Sequence, residues 1–299
     1  QDSAEYFADV TAFMGNVPWH VLVIAITVIV LLIGAATQIE KANKILMPLF
    51  FVLFSILAVR VFFLPGAKEG YEFLFVPKWE ALANIDTWVM AMGQAFFSLS
   101  ITGSGMIVYG SYLSKKEDIP RASMQTAFFD TIAAMLSALA IMPAVFAFGI
   151  EPSAGPSLMF VTIPNIFKQM PMGRLFAVIF FLSVCFAGIT SLINMFEAVI
   201  ESWQHKFKLK RNHAVLLCGA LTLIVGLFME EEARVGTWMD FITIIEVPFG
   251  AVLGAISIYY ILGFDKIKEE LKEGRKKGLS KIFKPTAKYI YVPLTIIVF

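Results

Sequence analysis

Charged side chains are scarce in this chain. Asp, Glu, Lys and Arg make up 16% of its 299 residues, while hydrophobic residues make up 58% and the mean hydropathy is +0.76. A soluble globular domain has about 25% charged residues. The composition therefore excludes a water-soluble domain and predicts a polytopic membrane protein, with lipid and no nucleic acid among its partners.

Cysteine and histidine are also rare, with two and three residues respectively. Cys185 and Cys218 both lie in apolar runs, which indicates packed thiols rather than a disulfide framework. The three histidines lie at the ends of hydrophobic segments, so none is available at membrane depth. A serine flanked by glycines at 103–105 consequently has no histidine base to activate it, and we expect no enzymatic activity.

Long hydrophobic runs, in contrast, make up most of the chain. A helix that crosses a bilayer needs about 20 apolar residues. Eight segments approach or exceed that length, at residues 18–36, 45–64, 87–113, 123–149, 174–203, 213–229, 238–262 and 286–299. We therefore predict an all-α protein with about eight transmembrane helices in a single membrane domain over residues 1–299.

Lys and Arg are distributed unevenly between the connecting loops. Eighteen of them lie in one set of alternate loops, at residues 37–44, 114–122, 204–212 and 263–288. Five lie in the opposite set, at residues 65–86, 150–174 and 230–237. Because basic loops face the cytoplasm, we expect a multi-pass protein of the cell (plasma) membrane with the N-terminus of this chain outside.

The third hydrophobic segment is interrupted by small and polar residues. Residues 93–105 contain three glycines, three serines and a threonine within an otherwise apolar run. Such residues face lipid poorly, but they suit a helix that unwinds beside a polar cavity, where its freed backbone groups bind a solute. The pattern indicates the core of a transporter rather than a passive anchor.

One carboxylate, Asp130, lies within the next segment and precedes an apolar stretch over residues 131–145. An ionisable group at membrane depth costs about 2.5–3.5 kcal/mol, so such groups are usually functional. The Asp130 oxygens suit a hard cation such as Na⁺, or the carboxyl could carry a proton. A structural carboxylate bonded to backbone or hydroxyl groups is the alternative.

A second group of oxygens is predicted in segment 174–203. Thr190 and Ser191 are adjacent, and the Ala187 carbonyl comes three or four residues earlier, so all three lie on one helix face. Two hydroxyls and a carbonyl form an uncharged set of oxygens that suits Na⁺ better than a divalent ion. Ser and Thr also commonly join membrane helices by hydrogen bonds, which is the simpler explanation.

Two further features leave alternatives open. Asp240, at the outer end of segment 238–262, either closes a gate over a cavity by pairing with a cation or is a solvated acid at a helix end. Residues 158–167 are too short to span a bilayer, and they form either a re-entrant or surface helix or an ordinary amphipathic loop.

Several short motifs, in order, resemble the neurotransmitter:sodium symporter family. Residues 93–100 (GQAFFSLS) with 109–113 (YGSYL) are similar to its broken sixth helix, and 40–48 (EKANKILMP) to the start of its fifth. Residues 187–191 (AGITS) are similar to the sodium-site segment of its eighth helix, and Asp130 with the next residue to a pair in the seventh helix of prokaryotic members. This resemblance runs along nearly the whole chain and implies the leucine-transporter-type inverted-repeat fold.

The resemblance also implies where ions bind. It places a first sodium site at Ser98 and Asp130, and a second at Ala187, Thr190 and Ser191. An acid at the position of Asp130 is similar to members that do not require chloride, since a fixed negative charge replaces the anion.

For the substrate, the resemblance implies an aromatic lid at Phe97 and an outer-gate acid at Asp240. The residues that it implies for substrate contact are Phe97, Ser98, Ser100, Gly103 and Met195. Members of the family usually carry a large side chain where Gly103 stands, so the identity of the substrate stays open.

The similar region runs from the fourth to the eleventh helix of the family. The first three helices, which supply about half of the ligands, are therefore expected to belong to a longer protein or to a complementing chain. The implied function is sodium-coupled symport of an amino acid or related small zwitterion by alternating access, with this chain as part of the transporter. A non-transporting membrane scaffold or receptor that keeps the fold is the alternative.

Overall fold

The computed structural model describes residues 3–12, 14–34, 36–101, 106–107, 110–111, 113–149, 152, 158–275 and 278–299. Within these ranges the chain is almost entirely helical and has no strand, which confirms the predicted all-α class. The α-helices, labelled in chain order, are α1 Ser3–Thr11, α2 Val17–Ile33, α3 Ala36–Phe62, α4 Ala67–Phe75, α5 Ile85–Ser98, α6 Ile119–Ala147, α7 Ile163–Lys168, α8 Gly173–Phe207, α9 Arg211–Phe228, α10 Glu232–Phe241, α11 Val247–Ile256, α12 Phe264–Glu270, α13 Phe283–Thr286 and α14 Val292–Val298.

Four stretches of the described chain are long and apolar enough to cross a membrane by length and composition, at Ile119–Ala147, Gly173–Phe207, Arg211–Phe228 and Ala233–Glu270. A helix pair bent by 114°, Met47–Phe62 with Ala67–Ala83, would make a fifth. The predicted count of about eight is therefore not confirmed. One reason is that the third segment does not form a continuous helix, because α5 ends at Ser98.

The helices divide into two compact units, Gln1–Pro77 with Ile132–Val235, and Lys78–Thr131 with Gly236–Phe299. In the first unit, Phe180 of α8 is completely buried at the centre of the larger core. The rings of Phe54 and Phe167 lie 5.5 and 5.7 Å from the Phe180 ring, in tilted and edge-on arrangements that aromatic pairs favour. This core joins α3, α4, α6, α7 and α8.

The stretch predicted as a helix or a loop over residues 158–167 is helical. A π-helical turn at Leu158–Thr162 leads into α7, whose Ile163, Ile166 and Phe167 are buried in the core around Phe180. The helical alternative is therefore the correct one.

A second core of the same unit joins α2, α8 and α9. Gly219 of α9 faces Val28 of α2, and a Cβ at position 219 would lie 2.5 Å from a Val28 methyl carbon. Glycine thus allows the two helices to approach closely, as small residues do in membrane helix pairs. Helix α2 itself begins with Pro18 in its first turn and ends before Gly34, which has a φ of 71°.

Three π-helical turns share a sequence feature. The turns at Leu158–Thr162, Ile242–Glu246 and Ala287–Tyr291 are each followed, two residues later, by a proline. Proline has no N–H to donate, and its ring collides with the carbonyl four residues earlier in an α-helix. A π turn hydrogen-bonds to the carbonyl five residues earlier rather than four, so the α-helical pattern changes just before each proline.

In the second unit, the core consists of Phe96 of α5 with Val247 and Ala251 of α11. The Phe96 ring also meets Tyr291 edge-on, with ring centroids 6.5 Å apart. Gly93 lies beside the π turn of Ile242–Glu246, where an added Cβ would be 3.7 Å from the Thr243 carbonyl. The last turns of α5 are therefore packed against α11 and the helix at the end of the chain.

Candidate functional site

The predicted interruption of the third segment is confirmed at Ser98. Helix α5 ends there, and Ser100 adopts a left-handed conformation with a φ of 52°. The Ser100 N–H donates to the Phe97 carbonyl, and the Ile101 N–H donates to the Phe96 carbonyl, both at 3.0 Å. These two bonds define a Schellman motif, which closes a helix end by a reversal of the backbone.

Side-chain packing supports this helix end. Phe96 is 4% exposed, and Ile101 packs against the core that Phe96 belongs to. An apolar contact between these two positions usually accompanies a Schellman motif. Glycine is the usual residue at the left-handed position, because an L side chain there costs about 1–2 kcal/mol. Serine at 100 therefore holds a strained conformation at the interruption.

The helix end brings two of the predicted ion ligands together. The Ser98 hydroxyl donates a 2.6 Å hydrogen bond to Oδ1 of Asp130, across 32 residues of sequence. Asp130 is half-buried in α6, and Ser98 is the last residue of α5. The Ser98 hydroxyl oxygen and the two Asp130 carboxylate oxygens therefore lie close together, beside the end of α5.

The second predicted group of oxygens has the local geometry expected from its spacing. The Thr190 and Ser191 hydroxyls both donate to the Ala187 carbonyl, each at 2.9 Å, and Thr190 also lies 3.0 Å from the Phe186 carbonyl. All of these residues belong to α8. The two hydroxyl oxygens and the Ala187 carbonyl oxygen thus form one cluster on the helix surface, whose acceptor lone pairs could bind a monovalent cation.

The remaining predicted residues are placed as follows. Phe97 and Met195 are exposed, at 41% and 61%. Asp240 is exposed in the last turn of α10, and its carbonyl lies 3.4 Å from the Thr243 hydroxyl. Gly103 lies outside the described residues.

One strong charge pair was not predicted from the sequence. The guanidinium of Arg211 makes two parallel bonds to the Glu197 carboxylate, at 2.8 and 2.9 Å, and so connects α8 to α9. The Glu197 side chain is only 12% exposed. No local signal in the sequence links these residues, which are 14 positions apart in different helices.

With this geometry established, comparisons with known proteins define the class. Residues 5–298 match the profile of the Sodium:neurotransmitter symporter family. The chain belongs to this family, and it is a multi-pass membrane protein with a transporter fold rather than an enzyme. The family resemblance seen in the motifs is thereby confirmed.

Individual relatives agree with this assignment. An uncharacterized sodium-dependent transporter of Bacillus subtilis is 34% identical over 289 residues, which cover 92% of this chain and 63% of that protein. A similarly described transporter of Haemophilus influenzae is 31% identical, over 100% of this chain and 68% of its own length.

A solved structure is also similar. The crystal structure of MhsT in complex with L-phenylalanine superposes with a TM-score of 0.89 at 30% sequence identity. The match covers 98% of this chain and 69% of MhsT. The chain thus spans about two thirds of the length of each of these three proteins.

Proposed function

We propose that this chain is part of a transporter that couples the uptake of an amino acid, or a related small zwitterion, to sodium. The single observation that carries the proposal is the Ser98–Asp130 hydrogen bond at the end of α5. A carboxylate and a hydroxyl within a membrane segment are costly without a function, and they are suitable ligands for Na⁺. The relatives named as sodium-dependent transporters support the same ion.

In this proposal Ser98 and Asp130 belong to a first sodium site, beside the substrate carboxylate. The full negative charge of Asp130 also removes the need for chloride as a counterion. A cation between these groups replaces the present hydrogen bond, so the Ser98 hydroxyl turns its lone pairs toward the ion. Sodium binding is therefore expected to depend strongly on the charge of residue 130.

The second sodium site is proposed at Ala187, Thr190 and Ser191. Both hydroxyls already use their hydrogens on the Ala187 carbonyl, so their oxygen lone pairs are free to face an ion. These uncharged ligands suit a monovalent cation, because they supply oxygen dipoles without the charge that a divalent ion requires. Backbone carbonyls and helix ends have the same role in other transporters.

For the substrate we propose the roles that the family resemblance implies: Phe97 as a lid and Ser98 as a contact for the carboxylate. Ser100, Gly103 and Met195 are the residues that it implies for contact with the substrate side chain. MhsT binds L-phenylalanine, which supports a small amino-acid-like substrate. Asp240 is proposed as the acid of an outer gate. Ion and substrate binding drive alternating access because each favours the conformation for which it has the higher affinity.

We also propose the orientation and location of the transporter. The basic loops face the cytoplasm, the N-terminus of this chain lies outside, and the protein resides in the plasma membrane. The helices of the family that precede this region complete the sites, either in one longer protein or in a complementing chain.

The test uses the complete transporter, purified and assayed for sodium-dependent binding of radiolabelled amino acids. Asp130→Asn keeps the shape of the side chain and removes its charge, so we expect the sodium concentration for half-maximal binding to rise at least tenfold. Asp86→Asn, a change in the first turn of α5, is the matched control and should leave binding unchanged. Sodium-dependent binding that is the same in Asp130→Asn and wild type would refute the site and favour a non-transporting scaffold.

A further inference from the structure

Two lysines near the end of the chain lie over aromatic rings. The Nζ atom of Lys284 is 5.2 Å from the centroid of the Phe264 ring, and the Nζ atom of Lys288 is 4.6 Å from the centroid of the Tyr260 ring. At such distances an ammonium group is attracted to the face of the ring. The function proposed above uses none of these four residues.

The two contacts lie side by side between neighbouring helical segments. Phe264 begins α12 and Tyr260 lies in the π-helical turn just before it, while Lys284 belongs to α13 and Lys288 to the π-helical turn just after it. The segments run antiparallel, because the earlier ring contacts the later lysine. The Tyr260 hydroxyl also donates a 3.0 Å hydrogen bond to the Lys288 carbonyl, which holds the ring in place. Both ammonium groups therefore lie on the same side of this helix pair.

Neither of these ammonium groups pairs with a carboxylate in the described part of the chain. The nearby acids Glu273 and Asp118 make their ion pairs with other cations, each at 3.5 Å. An ammonium group has three N–H donors, and a ring face does not use all of them. Lys284 is exposed and Lys288 is half-buried. The two lysines thus offer two positive charges and several donors to an anion from outside the protein.

The lysines lie where an apolar surface meets a basic loop. Residues 263–288 contain nine Lys or Arg residues and four Asp or Glu residues, so this loop has an excess of positive charge. Beside it, the apolar side chains of Ile261, Ile282 and Tyr289 are exposed. In membrane proteins, tyrosine and lysine are typical of the level at which acyl chains meet lipid headgroups.

We propose that Lys284 and Lys288 bind the headgroup phosphate of one anionic phospholipid. Lysine binds phosphate as a point charge, and basic sites between membrane helices bind anionic headgroups in this way. The exposed apolar side chains beside the lysines suit the acyl chains, which a soluble phosphate lacks. A zwitterionic lipid would gain less, because its own cation would meet a surface with an excess of positive charge.

The bound lipid would connect the end of the membrane-length stretch Ala233–Glu270 to the last helical region of the chain. A ligand that binds only the folded protein stabilises it by mass action. The orientation proposed above places this lipid in the cytoplasmic leaflet, but the binding itself does not depend on that orientation.

The test uses the complete transporter, purified in a neutral detergent and freed of native lipid. Native mass spectrometry measures the binding of phosphatidylglycerol, with phosphatidylcholine of the same acyl chains as the comparison. We expect phosphatidylglycerol to bind at least tenfold more tightly. Lys284→Gln and Lys288→Gln should each weaken its binding about fivefold, which corresponds to about 1 kcal/mol per lysine at an anionic lipid surface. Lys266→Gln is the control, because it removes the same charge from an exposed position on another face of α12, and it should change the affinity less than about twofold.

Two substitutions of Tyr260 give an independent test at constant charge. Tyr260→Phe keeps a ring under Lys288, whereas Tyr260→Leu removes it. Only Tyr260→Leu should weaken phosphatidylglycerol binding, about two- to fivefold, as the loss of an exposed cation–π contact of about 0.5–1 kcal/mol predicts.

Three results would overturn the proposal. Equal affinities for phosphatidylglycerol and phosphatidylcholine would show that the headgroup charge is not recognised. Equal losses in Lys266→Gln and Lys288→Gln would show that the loop attracts lipid only by its overall charge. Displacement of the lipid by glycerol phosphate at similar concentrations would show that the ligand is a soluble phosphate.

Discussion

Replacing Gly70 by alanine should destabilise the first unit of the fold. Gly70 of α4 is buried against α6, and an added Cβ would lie 2.4 Å from the Pro143 Cα and 2.9 Å from the Met142 carbonyl oxygen. Carbon atoms pack at about 3.5–4.0 Å. The two helices must therefore separate by about 1 Å, and the obstructing atoms are backbone atoms that cannot rotate away.

Two opposing effects determine how much Gly70→Ala changes the free energy of unfolding. Overpacking a core costs about 1–3 kcal/mol, while alanine stabilises a helix by about 0.5–1 kcal/mol relative to glycine. Gly254→Ala in α11 is the matched control, because nothing in the described chain lies within 4 Å of the corresponding Cβ. Gly254→Ala has the same stabilising effect of alanine in a helix but causes no collision. The free energies of unfolding of the two variants should therefore differ by about 1–3 kcal/mol, the cost of overpacking.

Thermal unfolding of the two variants, purified in the same detergent, measures this difference. For chains of 150–250 residues, 1 kcal/mol corresponds to about 2–4 °C in Tm. We expect Gly70→Ala to unfold about 2–12 °C below Gly254→Ala, and also below the wild type. If Gly70→Ala were as stable as the control, the close approach of α4 to Pro143 would be wrong.

Three further substitutions test other contacts by the same assay. Ser100→Gly should stabilise the protein by about 0.5–1 kcal/mol, because glycine relieves the left-handed strain, and an unchanged or lower Tm would contradict the Schellman geometry. Arg211→Lys should cost about 1–2 kcal/mol, since lysine cannot make the two parallel bonds to Glu197, and a cost near zero would contradict that pairing. Lys115→Ala removes an ion pair to Glu273 in which the lysine side chain is 85% exposed. Stability should therefore fall by less than about 0.5 kcal/mol, and a larger loss would show that solvent does not weaken this pair.

Features that depend on neighbouring residues could be predicted. The all-α membrane class follows from hydropathy, because apolar runs of this length are stable only when their backbone groups bond within a helix. The end of α5 follows from the small and polar residues at 93–105, and the shared face of Thr190 and Ser191 follows from the helical repeat. The left-handed residue was not predictable from propensity, since glycine rather than serine is expected there.

Other features depend on partners that are distant in sequence. The Ser98–Asp130 bond spans 32 residues, and only the resemblance to the family placed these two residues together. The Arg211–Glu197 pair was missed, because it joins two helices whose facing surfaces are set by packing. The predicted helix count was not confirmed, because apolar length alone does not show where a chain bends or unwinds. The 114° bend after Phe62 and the π turns before proline are examples.

The order of amino acids alone therefore established the class of protein and the point where one apolar segment is interrupted. These properties are set by hydropathy and by hydrogen bonding over a few residues, which are local. Packing of the folded helices was needed to bring Ser98 onto Asp130, to bury Glu230 beside His20 and to press Gly70 against Pro143. Such contacts depend on how whole helices are placed against one another, and that placement minimises a sum over many weak interactions that no short segment contains.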